Sequence, residues 1–244
     1  MFRCMSRFIA SLLAVVLCAG GLAHAEATDF VLPSGDVVPG ARLAELTPMA
    51  QQVARVREAV RSTFGVDIGQ VPVHVLKMED VRALLGEIGG RLPSNMTLHG
   101  WELDGHVFIR RELGGVSDEV LIHECLHAVS RHTFSDGAHA RGVNNVIEGI
   151  TQYLTLEALA ARPNAAQFAR TQKHIYVAFT RFAEVLATLV GESTLRDAYF
   201  KTGFDALAAR VAAVTHDKRR LVEAARLIDQ KNEQGALERL TRGL

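Results

Sequence analysis

Between Ser117 and His132 the chain carries apolar residues on nearly every side of a helical wheel. Leu121, Cys125 and Ala128 project along one side, and Ile122, Leu126 and Val129 cover a second flank. A helix apolar around its circumference belongs in a protein interior. The same segment contains His123-Glu124-Cys125-Leu126-His127, so it takes two imidazoles and a carboxylate inside with it. Unpartnered polar groups in an apolar setting cost roughly 1–3 kcal/mol each, and an unpaired charge costs more. Histidines four apart sit on one helical face, about 40° apart in rotation, and both can reach a single metal ion. Glu124, about 100° from His123, stands beside such an ion without ligating it. The bland alternative is a set of hydrogen-bonded core or surface residues. The H-E-x-x-H spacing and the burial favour a metal, with zinc the expected ion and Glu124 as the proton acceptor for an activated water.

The first 25 residues read as a segment to be removed. Arg3 and Arg7 precede an apolar run from Phe8 to Leu22, and Ala23-His24-Ala25 has the form of a signal-peptidase site. The run is short for a membrane span, which needs about 20 apolar residues. Cleavage near Ala25 predicts a periplasmic or secreted protein with no stable membrane anchor. It leaves 219 residues with 25 basic and 27 acidic side chains. That balance provides no electrostatic basis for nucleic-acid binding. Of three cysteines only Cys125 remains, so no intramolecular disulfide forms and the fold rests on its core. Cys125 points away from the paired histidines and reads as packing.

The order of patterns along the mature chain predicts an α+β fold, with strands first and helices later. Residues 26–44, with Pro33, Gly35, Pro39 and Gly40, read as an irregular arm. Residues 45–64 read as an amphipathic helix ended by Gly65. Strands are expected at 71–76, around 96–101 and at 105–110, with a turn at Asp104-Gly105 and a short helix at 79–87. Beyond Gly114-Gly115 the expected helices are 117–132, 143–160, 164–190, 193–200, 203–214 and 217–241. The expected organisation is a catalytic domain over 45–162, formed by a small mixed sheet with an edge strand and a metal-binding helix pair, and a C-terminal helical subdomain over 163–244 packed on it.

A catalytic zinc site needs a third protein ligand. The extended H-E-x-x-H-x-x-G-x-x-H pattern fails, because Ser130 and Thr133 stand where Gly and the third His belong. His132 falls one position early, on the opposite face, and reads as a helix-end residue. Glu148 is the better ligand, 21 residues after His127 on a helix whose Asn144, Asn145 and Gln152 share its face. Amides around a carboxylate are suited to orienting metal ligands. The competing reading is a solvated polar face. Segment 133–142, rich in small and polar residues, has the length to turn one helix back against the other.

His123-Glu124-x-x-His127 followed by Glu148-Gly149-Ile150-Thr151-Gln152-Tyr153 resembles the gluzincin group of zinc metallopeptidases, especially its compact minigluzincin-like members, over roughly residues 70–160. The resemblance implies Zn2+ held by His123, His127 and Glu148, Glu124 as general base, a protein or peptide substrate, and an edge strand able to pair with an extended peptide. One position departs from the thermolysin pattern: Gln152 stands where an Asp is found four residues after the third ligand. Tyr199, Tyr176, His174 and His216 are the candidates for stabilising a developing oxyanion, Tyr199 first. A catalytically silent, zinc-stapled binding or effector protein is the alternative from another class. Intact Glu124 and a three-ligand set speak against it.

Overall fold

The structure is a computed structural model that describes residues 30–31, 37–38, 47–68, 71–76, 100–103, 105–110, 117–161 and 176–243. The expected leader, the helix at 79–87 and His174 lie outside these residues, as do most of the arm and the first half of the helix expected at 164–190. Two short strands, β1 (Phe30–Val31) and β2 (Val37–Val38), pair antiparallel with Phe30 opposite Val38. The arm read as irregular therefore contains a two-residue ladder, too short to leave an alternating pattern.

Helix α1 (Thr47–Phe64) leads into a three-stranded sheet of β3 (Val73–Leu76), β4 (Gly100–Leu103) and β5 (His106–Arg110). The sheet order is β3-β5-β4; β3 runs parallel to β5, while β4 pairs antiparallel through the turn at Gly105 and forms an edge. The fold is α+β with a mixed sheet. Period-two alternation divides β5 between two faces. Val107 and Ile109 join the main core, whereas Phe108 stacks between Trp101 and His74, each at 5.0 Å. Burial, aided by the neighbouring His106, pulls the His74 imidazole down to about 4.

Helix α2 (Asp118–Ser130) carries the H-E-x-x-H segment, and Ser117 Oγ accepts from the Val120 N–H at its start. A π-helical turn (Arg131–Ser135) and α3 (Asp136–Ala140) then bring the chain round to α4 (Asn145–Ala160). The return expected at 133–142 is thus itself helical. Helices α5 (Val177–Val190), α6 (Glu192–Asp197), a second π-helical turn (Ala198–Thr202) and α7 (Phe204–Thr215) follow.

The helix expected over 217–241 is instead a hairpin of α8 (Arg220–Asp229) and α9 (Glu233–Thr241). Lys231 takes φ +62°, and Asn232 Oδ1 accepts from the Gly235 N–H at 2.9 Å to start α9. The apolar rhythm of Leu221, Ala225 and Ile228 resumes at Ala236 and Leu240, so periodicity alone does not register the break.

One apolar core runs from Val56 to Leu240 and includes residues of α2, α4, α5, α7, α8 and α9. The segments read as catalytic domain and helical subdomain share it. No described helix is long and apolar enough to cross a membrane. At Gly149 a Cβ would come within 2.4 Å of the Phe179 carbonyl oxygen. The backbones of α4 and α5 meet there, immediately beside Glu148. Gly149→Ala forces these helices apart, with an expected loss of about 1–3 kcal/mol of stability, measurable by urea denaturation.

Candidate metal centre

The centre is built by two helices that face one another. His123 and His127 leave α2 one turn apart, and Glu148 comes from the first turn of α4. His123 Nε2 lies 3.0 Å from His127 Nε2 and 3.3 Å from Glu148 Oε2, and His127 Nε2 lies 3.5 Å from the same oxygen. A tetrahedral zinc with bonds of about 2.0–2.2 Å separates its ligand atoms by roughly 3.3–3.6 Å. The triangle matches those edges to within a few tenths of an ångström, so the donor set fits the ion. Among the described residues these three form the one group of histidine, cysteine and acidic side chains able to hold a metal.

Both imidazoles are anchored on the other ring nitrogen. His123 Nδ1 lies 3.0 Å from Gln152 Oε1, and Gln152 Nε2 donates to Glu119 Oε1 at 2.6 Å. Gln152 thus occupies the orienting position, and a carboxylate stands behind it on α2. Sequence reasoning missed Glu119; its spacing of four residues before His123 was the available signal. His127 Nδ1 lies 3.5 Å from Thr151 Oγ1, which in turn is 2.7 Å from the Tyr199 hydroxyl.

Tyr199 is fully buried, and its ring packs between Phe134 and Phe200. Burial raises its hydroxyl above the usual tyrosine range, against the hydrogen bonds from Ser130 and Thr151. It supports the metal helices from behind and does not line the cleft, which corrects its first place among oxyanion candidates. His216 is an exposed, left-handed cap at the end of α7 and lies outside the cleft lining. Tyr176 does line the cleft: its ring stacks on His123 at 5.6 Å with 7° between the planes. Burial pushes its hydroxyl up to about 12, reinforced by the charges of Glu148 and Glu124 and a hydrogen bond to Glu148.

Of the amides expected around Glu148, only Gln152 reaches a ligand. Asn144 Oδ1 accepts from His139 Nδ1 at 2.8 Å, on the rim of the cleft. The Asn144 and Asn145 N–H groups donate to Asp229 at 3.0 and 2.7 Å, so a carboxylate from α8 caps α4 one turn before the ligand. Burial would raise the Glu148 carboxyl, but its hydrogen bonds to His123 and His127 outweigh this and hold it well below the usual range. His132 is exposed and bonds Asp136 at 3.1 Å, away from the triad. Cys125 is buried in the core, where loss of solvation pushes its thiol up to about 12.

A cleft of about 460 Å³ opens over the triangle, lined by Gly100, Trp101 and Glu102 of β4 on one side and by Asp136, His139 and Ile147 on the other. Glu124 lies in this cleft. The Glu102 backbone N–H donates to its carboxylate, and burial, with Glu148 and Glu102 adding repulsion, pushes it up to about 7 against the pull of His123. The edge strand sits this low because residue 100 is glycine: a Cβ there would meet Val120 at 3.0 Å and Glu124 at 3.3 Å. A half-buried carboxylate pushed up to about 7 is suited to exchanging protons with a group in the cleft.

No family model, no curated protein and no solved structure matches this chain. Metal binding is therefore the direct check on the centre. The chain from residue 26 onward is expected to bind one zinc ion, with Glu148→Gln weakening binding by about tenfold or more. Tyr199→Phe is expected to cost about 1–2 kcal/mol of stability while retaining the ion, as read by chelator competition and thermal melts.

Proposed function

We propose that the protein is an exported zinc-dependent hydrolase of peptide bonds, of the gluzincin type. The observation that carries this reading is the His123–His127–Glu148 triangle, with edges of 3.0, 3.3 and 3.5 Å, in the floor of a cleft that also contains Glu124. His123, His127 and Glu148 hold the zinc. Bound there, the ion supplies Lewis acidity, lowering the pKa of water toward roughly 7 and polarising a substrate carbonyl.

The remaining chemistry belongs to the chain. Glu124 takes the proton from the attacking water on a carboxylate oxygen and returns it to the amine that leaves, so the carboxylate ends the cycle as it began. Its burial favours the protonated intermediate state, and the Glu102 N–H aims it. Gly100 and Glu102 belong to β4, the outer strand of the sheet among the described residues, where an extended peptide can add backbone hydrogen bonds. Tyr176, stacked on His123 at the cleft, is the hydroxyl best placed to donate to a developing oxyanion.

A zinc that merely staples two helices leaves no task for a half-buried carboxylate beside the triangle, and structural zinc ordinarily takes four protein ligands. The expected leader provides the route out of the cytoplasm. The test uses an unstructured protein substrate. The mature chain is expected to cleave it, chelation to abolish cleavage, and Glu124→Gln to lower turnover by roughly 10²–10⁴-fold while zinc content is retained. Full activity in Glu124→Gln overturns the general-base assignment, and a mature chain that binds zinc but cleaves nothing favours the silent binding protein.

A further inference from the structure

Gln152 is buried, and its two hydrogen bonds constrain each other. Its oxygen lies 3.0 Å from His123 Nδ1, and its nitrogen donates to Glu119 Oε1 at 2.6 Å. A primary amide has nearly the same shape either way round, so packing does not decide which end faces the imidazole. Glu119 does decide it. An ionised carboxylate only accepts, so the amide must turn its NH2 toward Glu119 and its oxygen toward His123. An oxygen facing Nδ1 requires a proton on Nδ1, and a neutral imidazole protonated there has its lone pair on Nε2. Nε2 is the atom that faces His127 and Glu148.

We propose that Glu119 is a positioning residue that selects the metal-binding tautomer of His123 by locking the amide of Gln152. The inference rests on the reading of His123 as a metal ligand. The device follows helical spacing on both sides: Glu119 precedes His123 by one turn of α2, and Gln152 follows Glu148 by one turn of α4. His127 has no equivalent lock. Its partner at 3.5 Å is the Thr151 hydroxyl, which donates or accepts and so permits either tautomer.

The test is Glu119→Gln in the full mature chain, which preserves shape and removes the acceptor-only group. Gln152 is then free to turn its NH2 toward Nδ1, which moves the imidazole proton to Nε2. Zinc affinity, read by competition with a chromogenic chelator, is expected to fall by about 10–100-fold. The exchanged pair E119Q/Q152E places the carboxylate against His123 and the amide behind it. It is expected to regain most of that loss, which general damage to the helix pair would not permit. Nitrogen NMR of the metal-free chains reads the occupancy of Nδ1 directly: wild type and the exchanged pair hold a proton on His123 Nδ1, also when Nε2 donates to Glu148, and Glu119→Gln populates the form protonated on Nε2 alone. Undiminished zinc affinity in Glu119→Gln, or an unchanged His123 tautomer, overturns the proposal, as does an exchanged pair no tighter than Glu119→Gln. A wild-type chain without affinity for zinc refutes the metal centre instead, and the tautomer measurement still tests the lock alone.

Discussion

Burial of ionisable groups between two apolar helices is the constraint on which the rest of the structure depends. Helix α2 is packed into the core by Leu121, Ile122, Cys125 and Leu126, all nearly inaccessible to solvent. That packing takes His123 inside with it, and each buried polar atom then needs a partner. The facing helix provides them in order: Glu148 toward the ring nitrogens that point at each other, Thr151 behind His127, and Gln152 behind His123. Gly149, between these residues, lets α5 close directly over α4. Apolar contact and polar satisfaction impose the same geometry on the helix pair.

The C-terminal helices take part in the centre from behind. Asp229 of α8 caps the start of α4, so the turn that carries Glu148 is tied to the far end of the chain. Tyr199, from the second π-helical turn, bonds Thr151, while its own carbonyl oxygen accepts from Thr133 Oγ1 of the first at 2.9 Å. The apolar core is continuous across residue 162 and takes residues from both sides of it. The sheet's contribution is confined to one edge: Gly100 lets β4 settle against α2, and the backbone of Glu102 reaches Glu124.

Much of this is legible in the residues themselves. The i, i+4 histidines, the apolar circumference of α2 and the 3.6-residue rhythm of α4 are local patterns, and each corresponds to an observed helix face. The strands at 73–76 and 106–110 and the turn at Gly105 follow from alternation and turn chemistry in the same way. The break between α8 and α9 escapes because a tight helical turn can preserve the apolar phase on both sides. The role of Tyr199 escapes for another reason. A tyrosine has the same chemistry in a cleft wall as in a core, and only its neighbours distinguish the two.

By itself, then, the sequence determined the helical placement of His123, Glu124 and His127, the strands-then-helices order and the absence of an intramolecular disulfide within the chain beyond residue 25. These follow from backbone periodicity and residue counts, which are properties of neighbours along the chain. Only the tertiary structure decided that Glu148 completes the triangle, that Asn144 serves His139 and not the triangle, and that Glu119 stands behind Gln152. Those pairings join residues 5 to 33 positions apart. Whether two side chains meet across such a separation depends on how closely the helices pack, and that is set by the whole core, down to the missing side chain at Gly149.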